Sequence, residues 1–179
     1  MDWNLQFTTV GFQGTAVPNA LPKIYRDGYV TVGGYNSSGS NMPFGVVVSA
    51  TTAAPNAFLL GNTSNVVRGV TLFNAAIAQN DPAKNSYYFA GQPLTAMLKG
   101  QMTIATWTKT STGAIDPIIG CVVIYNTTTG IIEFQNTGWG GQVGWAALLA
   151  DVIDVGNDLN TGTGIIGSGV GVTLSLRLI

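Results

Sequence analysis

From Val170 to Leu178 every second residue is aliphatic, with Val170, Val172, Leu174, Leu176 and Leu178 on one side and Gly169, Gly171, Thr173, Ser175 and Arg177 on the other. A period of two marks a β-strand with one buried face, because successive side chains of an extended chain point to opposite sides. The same alternation opens the chain, where Trp3, Leu5 and Phe7 interleave with Asn4, Gln6 and Thr8. Between these ends, residues 29–32, 44–49, 66–73, 92–98, 101–108, 118–125 and 131–134 are β-branched or aromatic runs bounded by Gly, Pro, Asn and Ser. Such runs suit a pleated, half-buried surface.

The connections are equally informative. Lys99-Gly100 between two runs predicts a tight two-residue hairpin turn, and residues 126–130 predict a longer hairpin in which Gly130 takes positive φ. The run 118–125 is apolar on both faces, which predicts cover on two sides, as in a sandwich or closed barrel. The fold class expected is therefore all-β: a single antiparallel β-barrel or jelly-roll-like sandwich. Helix is confined to one or two short pieces at most. Trp145, Leu148, Leu149, Val152 and Ile153 form one helical stripe, yet Gly144 starts it and Asp151 and Asp154 sit where the helix dipole disfavours anions. That stretch reads as a short helix or an irregular packed loop, and residues 73–78 could add one turn. Residues 11–28 have no period and carry Pro18 and Pro22. Residues 1–28 thus read as an N-terminal strand and extended arm, and residues 29–179 as the β domain.

Composition bounds the partners. Of 179 residues, 46% are hydrophobic, enough for a core. Only 8% are charged, against about a quarter in ordinary globular chains. A surface so poor in charge suggests that neighbouring protein covers much of it. The net charge of -1 gives no electrostatic footprint for nucleic acid or an anionic membrane. The apolar stretches 118–125 and 145–149 fall short of the roughly 18–20 residues of a spanning helix. The start Met1-Asp2-Trp3-Asn4 lacks the basic region of a signal peptide.

Catalytic chemistry is thinly represented. There is no His, the residue that most often ligates metal or moves protons near neutral pH. Gly162-Thr163-Gly164-Ile165-Ile166-Gly167 matches the dinucleotide string G-x-G-x-x-G, but a strand rather than a helix follows it. Asp151, Asp154, Asn157, Asp158 and Asn160 offer oxygen ligands without the EF-hand spacing or its closing Glu, so a solvated loop is preferred to a Ca²⁺ site. Glu133, the only Glu, stands where an alternating strand should point outward, with no partner carboxylate singled out for glycosidase chemistry. Trp107, Trp139 and Trp145 could stack on sugars but suit core or interface better. Cys121 inside an apolar run reads as an inert buried thiol. The sequons at Asn36, Asn62 and Asn126 read as coincidental in a Thr- and Asn-rich chain. No catalytic residue, cofactor or resident metal is expected.

Three stretches carry a family resemblance. Met42-Pro43-Phe44-Gly45-Val46-Val47-Val48, then Val67-Arg68-Gly69-Val70-Thr71, then Tyr88-Phe89-Ala90-Gly91-Gln92-Pro93-Leu94-Thr95-Ala96-Met97-Leu98-Lys99-Gly100-Gln101-Met102-Thr103-Ile104 follow in the order seen in tailed-phage capsid cement (decoration) proteins, which the region 40–135 resembles. The resemblance implies a small β-barrel or jelly roll, often a homotrimer, seated on the outer surface of an icosahedral head where major capsid proteins meet. It implies a structural virion role without enzymatic activity, with the major capsid protein as partner and neither nucleic acid nor membrane bound. On that reading the candidate capsid contacts are Trp3, Leu5 and Phe7 of the first strand, Phe12, Lys23, Tyr25 and Arg26 of the arm, and Trp139 in the Gly- and Trp-containing loop 136–145. The alternative is a phage tail or spike module that binds host-surface carbohydrate.

Overall fold

The structure, a computed structural model, describes residues 17–18, 29–61, 65–72, 87–104, 106–155 and 171–177. Along these residues the chain forms β1 (Val17–Pro18), β2 (Val30–Asn36), β3 (Met42–Pro43), β4 (Val47–Ala50), β5 (Ala57–Leu60) and β6 (Val66–Thr71). It continues with β7 (Tyr87–Tyr88), β8 (Pro93–Ile104), β9 (Val122–Asn126), β10 (Ile132–Gln135), β11 (Trp145–Ala147), β12 (Ala150–Val155) and β13 (Val172–Arg177). No helix occurs among the described residues. The protein is all-β, as its period-two patterning requires.

A closed five-stranded barrel forms the centre, in the order β8-β2-β5-β4-β6 and back to β8. Closure comes from Val70 pairing with Met97 and Thr71 with Ala96. Four of its pairings are antiparallel and one, β2 with β5, is parallel. β8 is twelve residues long and outruns the barrel. Its second half carries β13, which in turn carries β12, so a ribbon extends from the barrel wall. β1 joins β8 at Thr103 and Met102. A separate three-stranded sheet, β10-β9-β11, lies over the barrel.

Two clusters of side chains result from the alternation along each strand. Val48, Phe58, Leu94 and Ala96, with Val32 packed against them, fill the barrel. Their neighbours Val47, Val70 and Met97 face the other way and join Val123, Tyr125, Ile132, Phe134 and Trp107 in a core between barrel and sheet. β4 is consequently buried on both faces, at roughly 1.5–3 kcal/mol for each large apolar side chain removed from water. The hairpin turn of the sheet docks on the barrel where Gly130 O accepts the Val47 amide at 2.8 Å. Gly130 has φ of 72°, as the sequence predicted.

Three expectations fail, the third being the strand expected at 118–125, which begins only at Val122. Lys99-Gly100 is not a hairpin turn: β8 runs straight through it, with Arg177 opposite Lys99 and Leu176 opposite Gly100. The glycine serves a different need there, with φ of 124° and no room for a Cβ against Tyr29, beside a register shift in the β2 pairing. Nor is 145–153 a helix or loop. It is β11 followed by β12, the first hydrogen-bonded to β9 and the second to β13. The possible turn at 73–78 lies outside the described residues.

Candidate functional site

Of the candidate contact residues, Trp3, Leu5, Phe7, Phe12, Lys23, Tyr25 and Arg26 lie outside the described residues. Trp139 is described. β10 and β11 both run antiparallel to β9 and are therefore parallel to each other, so residues 136–144 form a crossover that must travel back along the sheet. Trp139 is half-buried in that crossover, its amide donating to Asn136 O at 3.0 Å. Val143 is 100% exposed.

A second surface was not anticipated. Ile118 and Ile119 do not belong to the strand expected at 118–125, which begins only at Val122. Pro117 and Gly120 bracket them in a turn where the Cys121 amide donates to Ile118 O at 3.2 Å. They are 56% and 71% exposed. The Leu148 amide donates to Val123 O at 2.9 Å, which brings exposed Leu149 to the same end of the sheet, away from the hairpin turn that touches the barrel. Three large aliphatic groups thus project from the distal end of β9. The Pro and Gly flanking Ile118-Ile119 are the sequence signal for a turn rather than a strand.

Glu133 is the largest surprise inside the molecule. Its expected outward position is correct by alternation, since Ile132 and Phe134 face the core. That outer face is nevertheless covered by residues 106–117. The loop is held to β10 by Thr108 N to Ile132 O at 3.0 Å and Ile115 N to Phe134 O at 2.9 Å. Glu133 is 0% exposed. One carboxylate oxygen accepts the Thr110 amide and hydroxyl, both at 2.6 Å. The other accepts the Ser111 amide at 2.9 Å and the Ser111 hydroxyl. Gln135 extends the network by donating to Ser111 Oγ at 2.9 Å and Thr112 O at 3.0 Å. A carboxylate has about four acceptor sites, and here all are committed to the loop. The arrangement is an anchor and leaves no lone pair for a substrate proton.

The remaining candidates are placed as follows. Trp107 is a core residue, stacked edge-on against Phe134 with ring centroids 5.6 Å apart. Trp145 begins β11 and is half-buried. Cys121 is buried, and burial pushes its thiol above the ordinary range, only partly offset by backbone hydrogen bonds at Ile118 and Cys121. Asp151 pairs with Arg177 at 3.0 Å on the exposed face of the ribbon. Asn157, Asp158, Asn160 and the string 162–167 lie outside the described residues. No group of three or more His, Cys, Asp or Glu occurs among the described residues. The sequon Asn36 is 1% exposed and fully hydrogen-bonded, while Asn126 caps its own hairpin turn by accepting from Thr128 and Thr129.

No protein-family model matches the chain, and no curated protein matches it.

Proposed function

We propose that this protein is a capsid cement protein, a structural virion component that binds the outer surface of a tailed-phage head between major capsid proteins and holds the shell together. The observation that carries the reading is the aliphatic end of the three-stranded sheet. Single exposed leucines are ordinary, but Ile118, Ile119 and Leu149 collected at one end, in a chain with 8% charged residues, mark a surface suited to contact with protein. Burying each against a neighbour is worth roughly 1.5–3 kcal/mol before binding costs. Such a contact is modest for one copy. Repeated over a closed symmetric shell it shifts the assembly equilibrium by mass action, because the protein binds the shell and not its free subunits.

The crossover bearing Trp139 and Val143 supplies a second apolar contact, and on the resemblance residues 1–28 would contribute further contacts across the subunit seams of a trimeric cap. The role asks for a stable β scaffold and distributed binding energy, with no reaction at one point.

Cosedimentation with purified heads stripped of the protein tests the reading. The double variant Ile118→Asp, Ile119→Asp should keep its melting temperature and lose attachment. A double variant that still saturates the heads like the unaltered protein would remove the basis for the proposal.

A further inference from the structure

Among the exposed large apolar groups, two sets differ in chemistry and in place. At the distal end of the sheet they are aliphatic. On the barrel, where β2 ends and β8 begins, they are aromatic: Tyr35 is 44% exposed and Phe89 47%.

This rim is rigidly built. Buried Asn36 donates from Nδ2 to Ser40 O at 2.7 Å and Tyr88 O at 3.0 Å. Its Oδ1 accepts the Ser38 amide and hydroxyl. Its backbone exchanges hydrogen bonds with the turn at 89–92, Asn36 N to Gln92 O at 2.9 Å and Gly91 N to Asn36 O at 2.7 Å. That turn closes on itself from Gln92 N to Phe89 O at 3.0 Å. Tyr35, one residue before this junction, stands opposite Pro93. Tyr87 lies two residues before Phe89, hence on the same side of the chain, and meets its ring edge-on with centroids 5.3 Å apart. Gln92 Oε1 accepts the Phe89 amide at 2.8 Å. The Gln92 side chain is thereby fixed, with its amide nitrogen unpartnered among the described residues.

Among the described residues the rim is also free of charge: no Asp, Glu, Lys or Arg occurs in 29–61, 65–67 or 87–98, and these segments supply β2, β5 and the described turns beside them.

We infer that this rim is a binding site for neutral carbohydrate. A pyranose ring presents a face of C–H groups edged by hydroxyls that both donate and accept. Its complement is an exposed, immobilised aromatic ring with amide groups beside it, and no charge that a neutral ligand would strip of water without compensation. Tyr35 and Phe89 are the stacking groups, with Gln92 and the exposed Asn56 as the hydroxyl-reading groups. Because the Phe89 ring is held against Tyr87 and Tyr35 stands on a paired strand before the ligand arrives, less ordering entropy is lost on binding. Among the described residues, the aliphatic end at Ile118, Ile119 and Leu149 has no such ring and no amide group fixed beside one. The inference stands apart from attachment to a capsid and can fail without it.

Saturation-transfer NMR on the full chain tests the site, using neutral linear hexamers of glucose, galactose, mannose and N-acetylglucosamine as probes. At least one hexamer should receive saturation at its ring C–H protons. Apparent affinity for it should drop about tenfold, one aromatic contact's worth, in Phe89→Ala and in Tyr35→Ala, and stay unchanged in Trp139→Ala. Both aromatic variants should stay folded and melt close to the parent, since neither ring belongs to the buried core. Absence of transfer from all four hexamers at millimolar concentration, or transfer indifferent to both substitutions, would overturn the assignment. Loss of head attachment in Phe89→Ala, without sugar binding by the parent, would give the rim to a protein partner instead.

Discussion

Ser111 donates both its amide and its hydroxyl to one oxygen of Glu133, and Thr110 does the same to the other. A single buried carboxylate therefore fastens a covering loop to β10 at four points. Glu133→Ala should leave these donors facing an apolar gap and cost about 3 kcal/mol, lowering the melting temperature by about 9 °C for a chain of this size. Glu133→Gln should cost nearly as much, because an amide NH2 then opposes donors. Calorimetry of the two variants checks this, and a shift under 2 °C in either would mean that the loop is held by its backbone bonds alone.

The sequence tells part of this story. Alternation at 172–177 identifies β13 because one face of that strand, Val172, Leu174 and Leu176, is buried whatever lies beyond it. The same rule places Glu133 opposite Ile132 and Phe134 but is silent on what covers the outer face, since the 106–117 loop arrives from outside the strand's own pattern. The available hint is compositional: a lone Glu beside a hydroxyl-rich Thr108–Thr112 run. Lys99-Gly100 misleads because glycine serves a turn and a strand irregularity equally well, and the deciding contact is with Arg177 and Leu176, far along the chain. Spacing at 145–153 imitates a helix because two short strands meet at Leu148–Leu149, where an inward and an outward residue happen to fall at helical intervals.

Tyr88 buries its ring at the barrel mouth and donates its hydroxyl to Leu72 O at 2.6 Å. Burial raises its phenol well above the ordinary range, with a smaller opposing effect from the backbone near Thr95, and burial raises Tyr125 too. An unfolded chain ionises these phenols near pH 10. Above that pH the unfolded state sheds protons that the native state keeps, so the stability they contribute is whole below pH 10 and is lost as pH rises further. Urea midpoints measured from pH 7 to 12 should fall steeply above pH 10. Tyr88→Phe should begin about 1–2 kcal/mol less stable, from the orphaned Leu72 carbonyl, and then fall less steeply. Parallel curves would contradict the assignment.

The Cys121 thiol is buried, and burial shifts it upward, so at a given pH less of it is thiolate than in the unfolded chain, and thiolate is the reacting species. A disulfide-exchange reagent at pH 8 should label the native protein at least a hundredfold more slowly than the chain in denaturant, an estimate set by access and ionisation together. Labelling at equal rates would show that the 118–121 turn opens freely.

Gly130 fixes how the second sheet seats on the barrel. A Cβ there would meet Val47 O at 2.2 Å, on a backbone with φ of 72°. Gly130→Ala should cost about 3 kcal/mol or more from strain and clash. Gly138→Ala, where nothing lies within 4 Å, should stay within about 0.5 kcal/mol of the parent. Paired urea denaturation curves separate these outcomes, and equal effects would mean that the hairpin does not dock as described.

The proposed role stands or falls on where the protein is found and in what amount. Quantitative mass spectrometry of purified virions should show this chain at a fixed ratio to the major capsid protein, the same from particle preparation to preparation, as a repeated position on a symmetric shell demands. Its absence from virions, or its presence at the few copies per particle typical of a tail or spike, would contradict the account.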